Sequence, residues 1–220
     1  DELSLITLSG ERLVPTAEGM RDPVAGGEFV QAIMEFSAVL GPLIEAARVE
    51  PKDDLIGVWA HAEVLGCPMD NGRIMQETGL FISGGAETTR TTIARGLLTL
   101  AEHPDQWEAM HADPSLIPGA VEEMLRFVTP LNNMFRTATV ATEVAGNKIE
   151  AGDKFCLLYP SANRDELVFD DPYAFDITRS PNHQIAFGFG AHFCLGAPLA
   201  RQELRIMLEK LVPKITNLTV

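Results

Sequence analysis

Positive charge is scarce in this chain. Seventeen Lys and Arg stand against thirty-one Asp and Glu among 220 residues, a formal net charge of −14. No Lys/Arg cluster offsets that balance, which excludes a nucleic acid as the expected partner, since duplex binding needs a basic face. Cysteine is also sparse: Cys67, Cys156 and Cys194 form an odd set with no CxxC spacing. That excludes a disulfide scaffold and a thiolate zinc site and fits a reducing, cytoplasmic setting. No uninterrupted apolar run approaches 18 residues, so no membrane span is expected. The chain opens on Asp1, without a basic-then-apolar leader, and reads as processed, excised or incomplete. Internal repeats and low-complexity tracts are missing too. What remains, 46% hydrophobic and 22% charged, is an ordinary globular balance with enough length for a proper core.

The first fifty residues predict helical segments separated by breakers. Phe29, Ile33, Phe36 and Leu40 recur at helical spacing, and Gly41-Pro42 is expected to kink or end that run. An amphipathic piece is expected from about Asp53 to Val64, capped by Asp53 or Asp54. The longest periodic stretch starts at Asp70 or Asn71 and ends by Pro104, about 45–50 Å at 1.5 Å per residue. Gly84-Gly85 interrupts it, each glycine costing about 1 kcal/mol relative to Ala. Two shorter helices follow, announced by Pro104 and by Asp113-Pro114 or Pro118. Residues 135–158 read as short β-hairpins broken at Ala145-Gly146-Asn147 and Ala151-Gly152-Asp153. Residues 159–190 promise little regular structure, and a last helix runs from near Leu195 to Leu211. The fold class is mainly α with a minor β element.

The informative segment is Phe187-Gly188-Phe189-Gly190-Ala191-His192-Phe193-Cys194-Leu195-Gly196. Three glycines around one cysteine imply a backbone that turns tightly and approaches something closely. Cys194 is expected at a helix start, where free N–H groups and the helix dipole favour a thiolate. Such a thiolate suits iron, although a lone cysteine equally suits a buried, inert position. The string F-G-x-G-x-H-x-C-x-G resembles the haem-thiolate signature of the cytochromes P-450, with all six fixed letters present. The resemblance implies that Cys194 is the proximal iron ligand and that His192 bonds a haem propionate. It also implies that Phe187 packs beside the loop while Gly188, Gly190 and Gly196 let the backbone reach the porphyrin of a haem b.

Gly84-Gly85-Ala86-Glu87-Thr88-Thr89 resembles that family's oxygen-activation motif. Gly84 and Thr88 are four apart and share a helix face, while Glu87 points about 100° away. The missing side chain at Gly84 leaves a notch for dioxygen beside the Thr88 hydroxyl, and Glu87 is placed to pass protons from water. On residues alone, a helix crossing that needs small side chains would serve as well. Glu77, Leu80 and Phe81 extend or flank the Thr88 face and are candidates for the wall of a substrate pocket, joined by Leu131, Asn132 and Asn133.

Glu123-Met124-Leu125-Arg126 puts acid and base three apart on one helix, a spacing that usually gives a surface pair worth little. It resembles the family's ExxR motif, which implies a structural pair holding the meander under the cysteine loop. Glu122 is a competitor at spacing four. Arg179 resembles the basic residue that completes this network, although Ala174 stands where many relatives carry a basic side chain. Arg136, at the start of the hairpin region, resembles a second propionate-binding arginine, which suits its planar fork of donors, or is an ordinary strand-end residue. Ser161-Ala162-Asn163-Arg164-Asp165 resembles the bacterial A-N-R-D stretch. His61, His103, His111 and His183 lack metal-ligand spacing and read as surface or capping residues, and Cys67 and Cys156 as buried fillers.

The resemblance covers nearly the whole chain, as a partial domain in five stretches. Residues 1–69 match helices of the F/G/H region, and 70–130 the oxygen-site and ExxR helices. Residues 131–158 match the hairpins, 159–193 the meander and cysteine loop, and 194–220 the final helix. The N-terminal half and the C-terminal hairpin of a family member are missing. The implied activity is O2-dependent hydroxylation of an apolar small molecule (a steroid, terpene or fatty acid). Reducing equivalents would come from a ferredoxin-type partner. Pro130–Arg136 and Asn182–Phe187 look most like an actinobacterial branch that includes steroid side-chain hydroxylases. The alternative is a non-catalytic remnant of the fold, a haem-free scaffold.

Overall fold

The computed structural model describes residues 23–218. The segments expected before residue 23 lie outside the described residues. The chain divides into two compact units, Asp1–Glu87 and Thr88–Val220, and one helix runs through the division.

In the first unit, α1 (Pro23–Val49) lays Ala32, Phe36, Leu40, Ile44 and Ala47 into a small core with Ala60, Met69 and Ile74. The buried stripe follows i, i+4 spacing, so Ile33 falls off it and is 41% exposed. Gly41-Pro42 does not end the helix. Proline removes only one backbone bond, and Leu40 and Ile44 anchor the turns on either side of it. Part of this helix, Gly26–Val49, is long and apolar enough to cross a membrane, with a mean hydropathy of 1.4. An uninterrupted run does not reveal it, because Glu28, Glu35 and Glu45 break the sequence without much lowering the average.

The piece expected over Asp53–Val64 is shorter than its periodicity suggests. Helix α2 spans Leu55–Ala60, with the Asp54 carboxylate accepting the Gly57 N–H at 2.7 Å. A hairpin follows, β1 (Glu63–Val64) against β2 (Cys67–Pro68), turned by Leu65 and Gly66 at positive φ. Arg48 ties these pieces together, donating to the Ala60 carbonyl at 3.0 Å, the Met69 carbonyl at 2.7 Å and the Asn71 side chain at 2.9 Å.

Helix α3 (Asn71–Glu102) is continuous through Gly84-Gly85. Its later turns belong to the second unit, with α4 (Pro104–Ala112), a 3-10 turn (Pro114–Leu116) and α5 (Ile117–Val128). The core there gathers Leu100, Trp107, Met110, Met124, Phe175, Ile177, Leu204 and Leu208. Gly96 permits the approach of α3 to α5, since a Cβ at that position would sit 2.2 Å from the Met124 terminal carbon.

The β region is nested. Strand β3 (Asn133–Thr137) pairs antiparallel with β6 (Lys154–Leu158), from Asn133 opposite Leu158 to Thr137 opposite Lys154. Between them β4 (Thr142–Val144) and β5 (Asn147–Ile149) form their own hairpin over Ala145-Gly146. Ala151-Gly152-Asp153 therefore does not turn one hairpin strand into its partner. It bends the chain back to β3, and the bonds Ala138 N–H to Asp153 O and Gly152 N–H to Ala138 O extend the outer ladder. A four-residue α6 (Tyr159–Ala162), a long irregular segment, a second 3-10 turn (Gly190–His192) and α7 (Ala197–Leu211) complete the unit. Cys67 and Cys156 are exposed, not buried. Each lies on a short strand, and the strands around it leave most of their side chains exposed.

Candidate active site

Two glycines shape the cysteine loop. Gly188 and Gly190 have φ of +74° and +75°, where a β-carbon is strained. Gly196 is different: its φ is −80° and an added Cβ would make ordinary contact with the Cys194 sulfur at 3.9 Å. The loop closes on itself through Gly188 N–H to Ile185 O (2.8 Å), Phe193 N–H to Gly190 O (3.0 Å) and Cys194 N–H to Phe187 O (2.9 Å). Cys194 is exposed and precedes the first helical residue of α7 by three positions, because Gly196 is the N-cap. It thus sits in the turn that leads to the helix rather than on the helix itself. Around it the loop shows apolar surface, with Phe189 91% and Leu195 79% exposed, and Phe193 half-exposed. His192 is exposed at the end of the 3-10 turn. Phe187 packs against the core.

On α3, an added Cβ at Gly84 or Gly85 would have no heavy atom within 4 Å among the described residues. A crossing that needs a small residue lies at Gly96, against Met124. Thr88 is partly buried and its carbonyl accepts the Thr92 hydroxyl at 2.9 Å; Glu87 is exposed. Glu77 is partly buried and Leu80 exposed. Phe81 meets the Trp59 ring edge-on at 5.1 Å. Leu131 is partly buried, Asn132 and Asn133 are exposed, and Arg136 is exposed with one bond to the Phe135 carbonyl at 2.9 Å.

The Glu123–Arg126 pair is no surface pair: both side chains are 0% exposed. Sequence spacing cannot see burial, which here comes from the irregular segment that wraps α5. All five guanidinium N–H groups are used. Two go to the Glu123 carboxylate, at 2.8 and 2.6 Å. The others go to the carbonyls of Asn163 (2.9 Å), Pro172 (2.7 Å) and Ala174 (2.9 Å). Glu123 in turn accepts from the Asp176 N–H (3.0 Å), the Arg179 Nε (3.3 Å) and the Asn182 amide (3.0 Å). Arg179 adds bonds to the carbonyls of Asp170, Asp171 and Ala174. Ala174, which lacks a basic side chain, joins through its backbone. A buried ion pair survives only when its remaining bonding capacity is met, and here it is.

Three contributors escape sequence reasoning. Buried Asn163 donates to the Thr129 hydroxyl and accepts the Ile185 N–H, both at 2.8 Å, linking α5's end to the loop. Asn182 reaches Glu123 from the stretch before the loop. Glu122 does not compete for Arg126. Its carboxylate takes the Arg201 fork at 2.6 and 3.0 Å and the Gln184 amide at 3.0 Å. Burial alone would raise its pKa, but the hydrogen bonds from Arg201 and Gln184 outweigh that and hold it below the usual carboxylate value. Within the sequence, only the A-N-R-D resemblance points to the neighbourhood of Asn163.

A family model for cytochrome P-450 matches residues 50–215. The chain is 45% identical over 197 residues to a steroid C26-monooxygenase of Mycolicibacterium smegmatis, covering 90% of this chain and 49% of that protein. It is 43% identical over 186 residues to a methyl-branched lipid omega-hydroxylase of Mycobacterium bovis, covering 84% and 44%. A solved Mycobacterium marinum cytochrome P-450 in complex with pseudoionone superposes with a TM-score of 0.87 at 33% identity, over 96% of this chain and 52% of that one. The chain spans about half the length of the curated relatives it matches.

Proposed function

This chain belongs to the cytochrome P-450 family, and from that premise we propose that it carries the ligand loop and oxygen-site helix of a haem-thiolate monooxygenase. The observation that supports this best is the cysteine loop itself. An exposed thiol stands among exposed phenylalanine and leucine side chains on a loop bent at two positive-φ glycines. Such a donor set fits a large apolar, iron-bearing disc such as haem b: a soft sulfur for the metal and apolar groups for the ring. Haem, when bound, supplies the activation of dioxygen and the insertion of one oxygen atom into a C–H bond.

The roles of the chain's own residues follow from their chemistry. Cys194 offers its sulfur as the iron ligand. Phe187, Gly188, Gly190 and Gly196 shape the loop that carries it. His192 and Arg136 bind the two propionate carboxylates through ring and guanidinium N–H groups, and both are exposed to do so. Gly84 and Gly85 present no β-carbon along α3. Thr88 Oγ1 donates a hydrogen bond at the oxygen site, and the exposed Glu87 carboxylate takes protons from water and passes them inward. Glu77, Leu80 and Phe81 in the first unit, with Phe81 beside Trp59, and Leu131, Asn132 and Asn133 in the second are the candidates for substrate contact. Glu123, Arg126 and Arg179 fix the meander. The similarity to a steroid C26-monooxygenase and a lipid hydroxylase supports a steroid or another lipid-like substrate. A ferredoxin-type donor in the cytoplasm, with no membrane span, completes the reading. Helix α1, though apolar enough to cross a bilayer, lays Phe36, Leu40, Ile44 and Ala47 into the core of its unit.

The test is a spectrum of the whole protein, reduced and exposed to CO. The red-shifted Soret band of thiolate-ligated haem is expected. A haem-free protein with intact secondary structure would instead make this chain part of a scaffold.

A further inference from the structure

Two adjacent acids on α5 point into different machinery. Glu123 faces residues 126, 176, 179 and 182, while Glu122 faces Gln184 and Arg201. From Glu122 a chain of contacts leads to the cysteine. Its carboxylate holds the Arg201 fork by two bonds and the Gln184 amide by a third. The Gln184 side-chain oxygen Oε1 accepts the Ala186 N–H at 2.7 Å. The Arg201 guanidinium lies over the Phe187 ring, 4.6 Å from its centroid. The Phe187 carbonyl accepts the Cys194 N–H at 2.9 Å, and the Phe187 and Phe193 rings stand 6.2 Å apart.

We propose that Glu122 and Arg201 are positioning residues for Cys194, a clamp that fixes Phe187, and through it the ligand loop, between α5 and α7. The proposal rests on the haem-thiolate reading above. The loop needs such a clamp. Its two positive-φ glycines make the backbone soft, and its turn bonds are local and stay within it. One tether outside the clamp is the Ile185 N–H on Asn163. Only arginine can do what Arg201 does, presenting a planar fork to a carboxylate while its face covers a phenyl ring. The pair is partly exposed, at 39% and 30%, so its weight in global stability is small. Its effect therefore falls mainly on the loop and only weakly on the fold.

The experiment compares the haem-loaded whole protein with Glu122→Ala, Arg201→Lys and Arg205→Ala. Arg205 makes an exposed bond to Glu209 on the same helix and serves as the control. Two quantities are followed: the lifetime of the red-shifted ferrous–CO band, and hydrogen exchange at the Phe187 and Cys194 amides against that of Met124. Losing a bidentate charged pair is expected to shorten the lifetime on the order of tenfold in Glu122→Ala. Arg201→Lys, which keeps charge but neither fork nor stacking face, falls between, and Arg205→Ala matches the parent. Loop amides exchange faster while Met124 does not. A parent without the band overturns the haem-thiolate reading itself. A parent with the band whose variants decay at its own rate overturns the clamp alone, as does a loss of Met124 protection in step with the loop.

Discussion

The network around Arg126 and the loop around Cys194 are neighbours in sequence order but opposites in completeness. Around Arg126 the chain's own atoms use every guanidinium donor, and nothing of either charged side chain meets solvent. Around Cys194 the chain closes its backbone bonds yet leaves the cysteine exposed and two large apolar side chains, Phe189 and Leu195, mostly uncovered. The first arrangement is finished and therefore structural. The second holds its shape without having covered its surface, as the proposed ligand-bearing role requires. The buried pair is valuable for where it puts the segment 163–182, and the loop for what it leaves open.

The sharpest way to break the comparison is Arg126→Ala in the whole protein. It leaves the Glu123 carboxylate buried without its main partner and takes the guanidinium donor from the Asn163 and Pro172 carbonyls, while Ala174 keeps Arg179, a loss of about 3–5 kcal/mol. Chemical denaturation should show that loss or outright failure to fold; a change below about 1 kcal/mol would mean that water replaces the guanidinium. Next comes Asn163→Ala, which strips the Thr129 and Ile185 bonds from a fully buried site. About 1–3 kcal/mol is expected by the same measurement.

A smaller effect is tied to pH. Glu122 titrates below its ordinary value of 4.5 in the folded protein, so its contribution is present above that value and is lost as pH falls through the lower, folded pKa. Stability of the parent should therefore drop more steeply on acidification than that of Glu122→Gln. Parallel acid profiles would show that the Arg201 bond survives protonation. The smallest stability change is expected for Thr88→Ala, a partly buried residue, at about 1 kcal/mol or less. On the proposed role of Thr88 its consequence in the whole protein is chemical: reducing equivalents should be consumed without matching product, because the hydroxyl proposed to order proton delivery is gone. Equal product per reductant in both proteins would make Thr88 a packing residue.

Local features of the fold are legible in the amino-acid sequence. The helical period and its proline and aspartate boundaries place α3 and α4 to within a residue or two, because capping and ring geometry are local. The loop motif announces itself through glycines, and φ is indeed positive at 188 and 190. Pairing across distance is not legible. Ala151-Gly152-Asp153 carries a hairpin signature yet closes the outer β3–β6 ladder, since turn chemistry says where a chain bends and not which strand it meets. The same blindness hides the burial of Glu123–Arg126 and the choice of Arg201 by Glu122, 79 residues away. Pro42 misleads in another way: tertiary packing on both sides carries the helix past a local breaker.

The claim that Cys194 is a ligand and not a structural residue has one direct measurement. Cys194→Ser is made in the whole protein, and the reduced CO spectrum is read beside the thermal midpoint of the haem-free form. An exposed sulfur in no core leaves the midpoint unchanged, while the red-shifted Soret band disappears because a neutral hydroxyl donates far less charge to iron. A variant that keeps the band, or one that loses it only because the protein unfolds, contradicts the account.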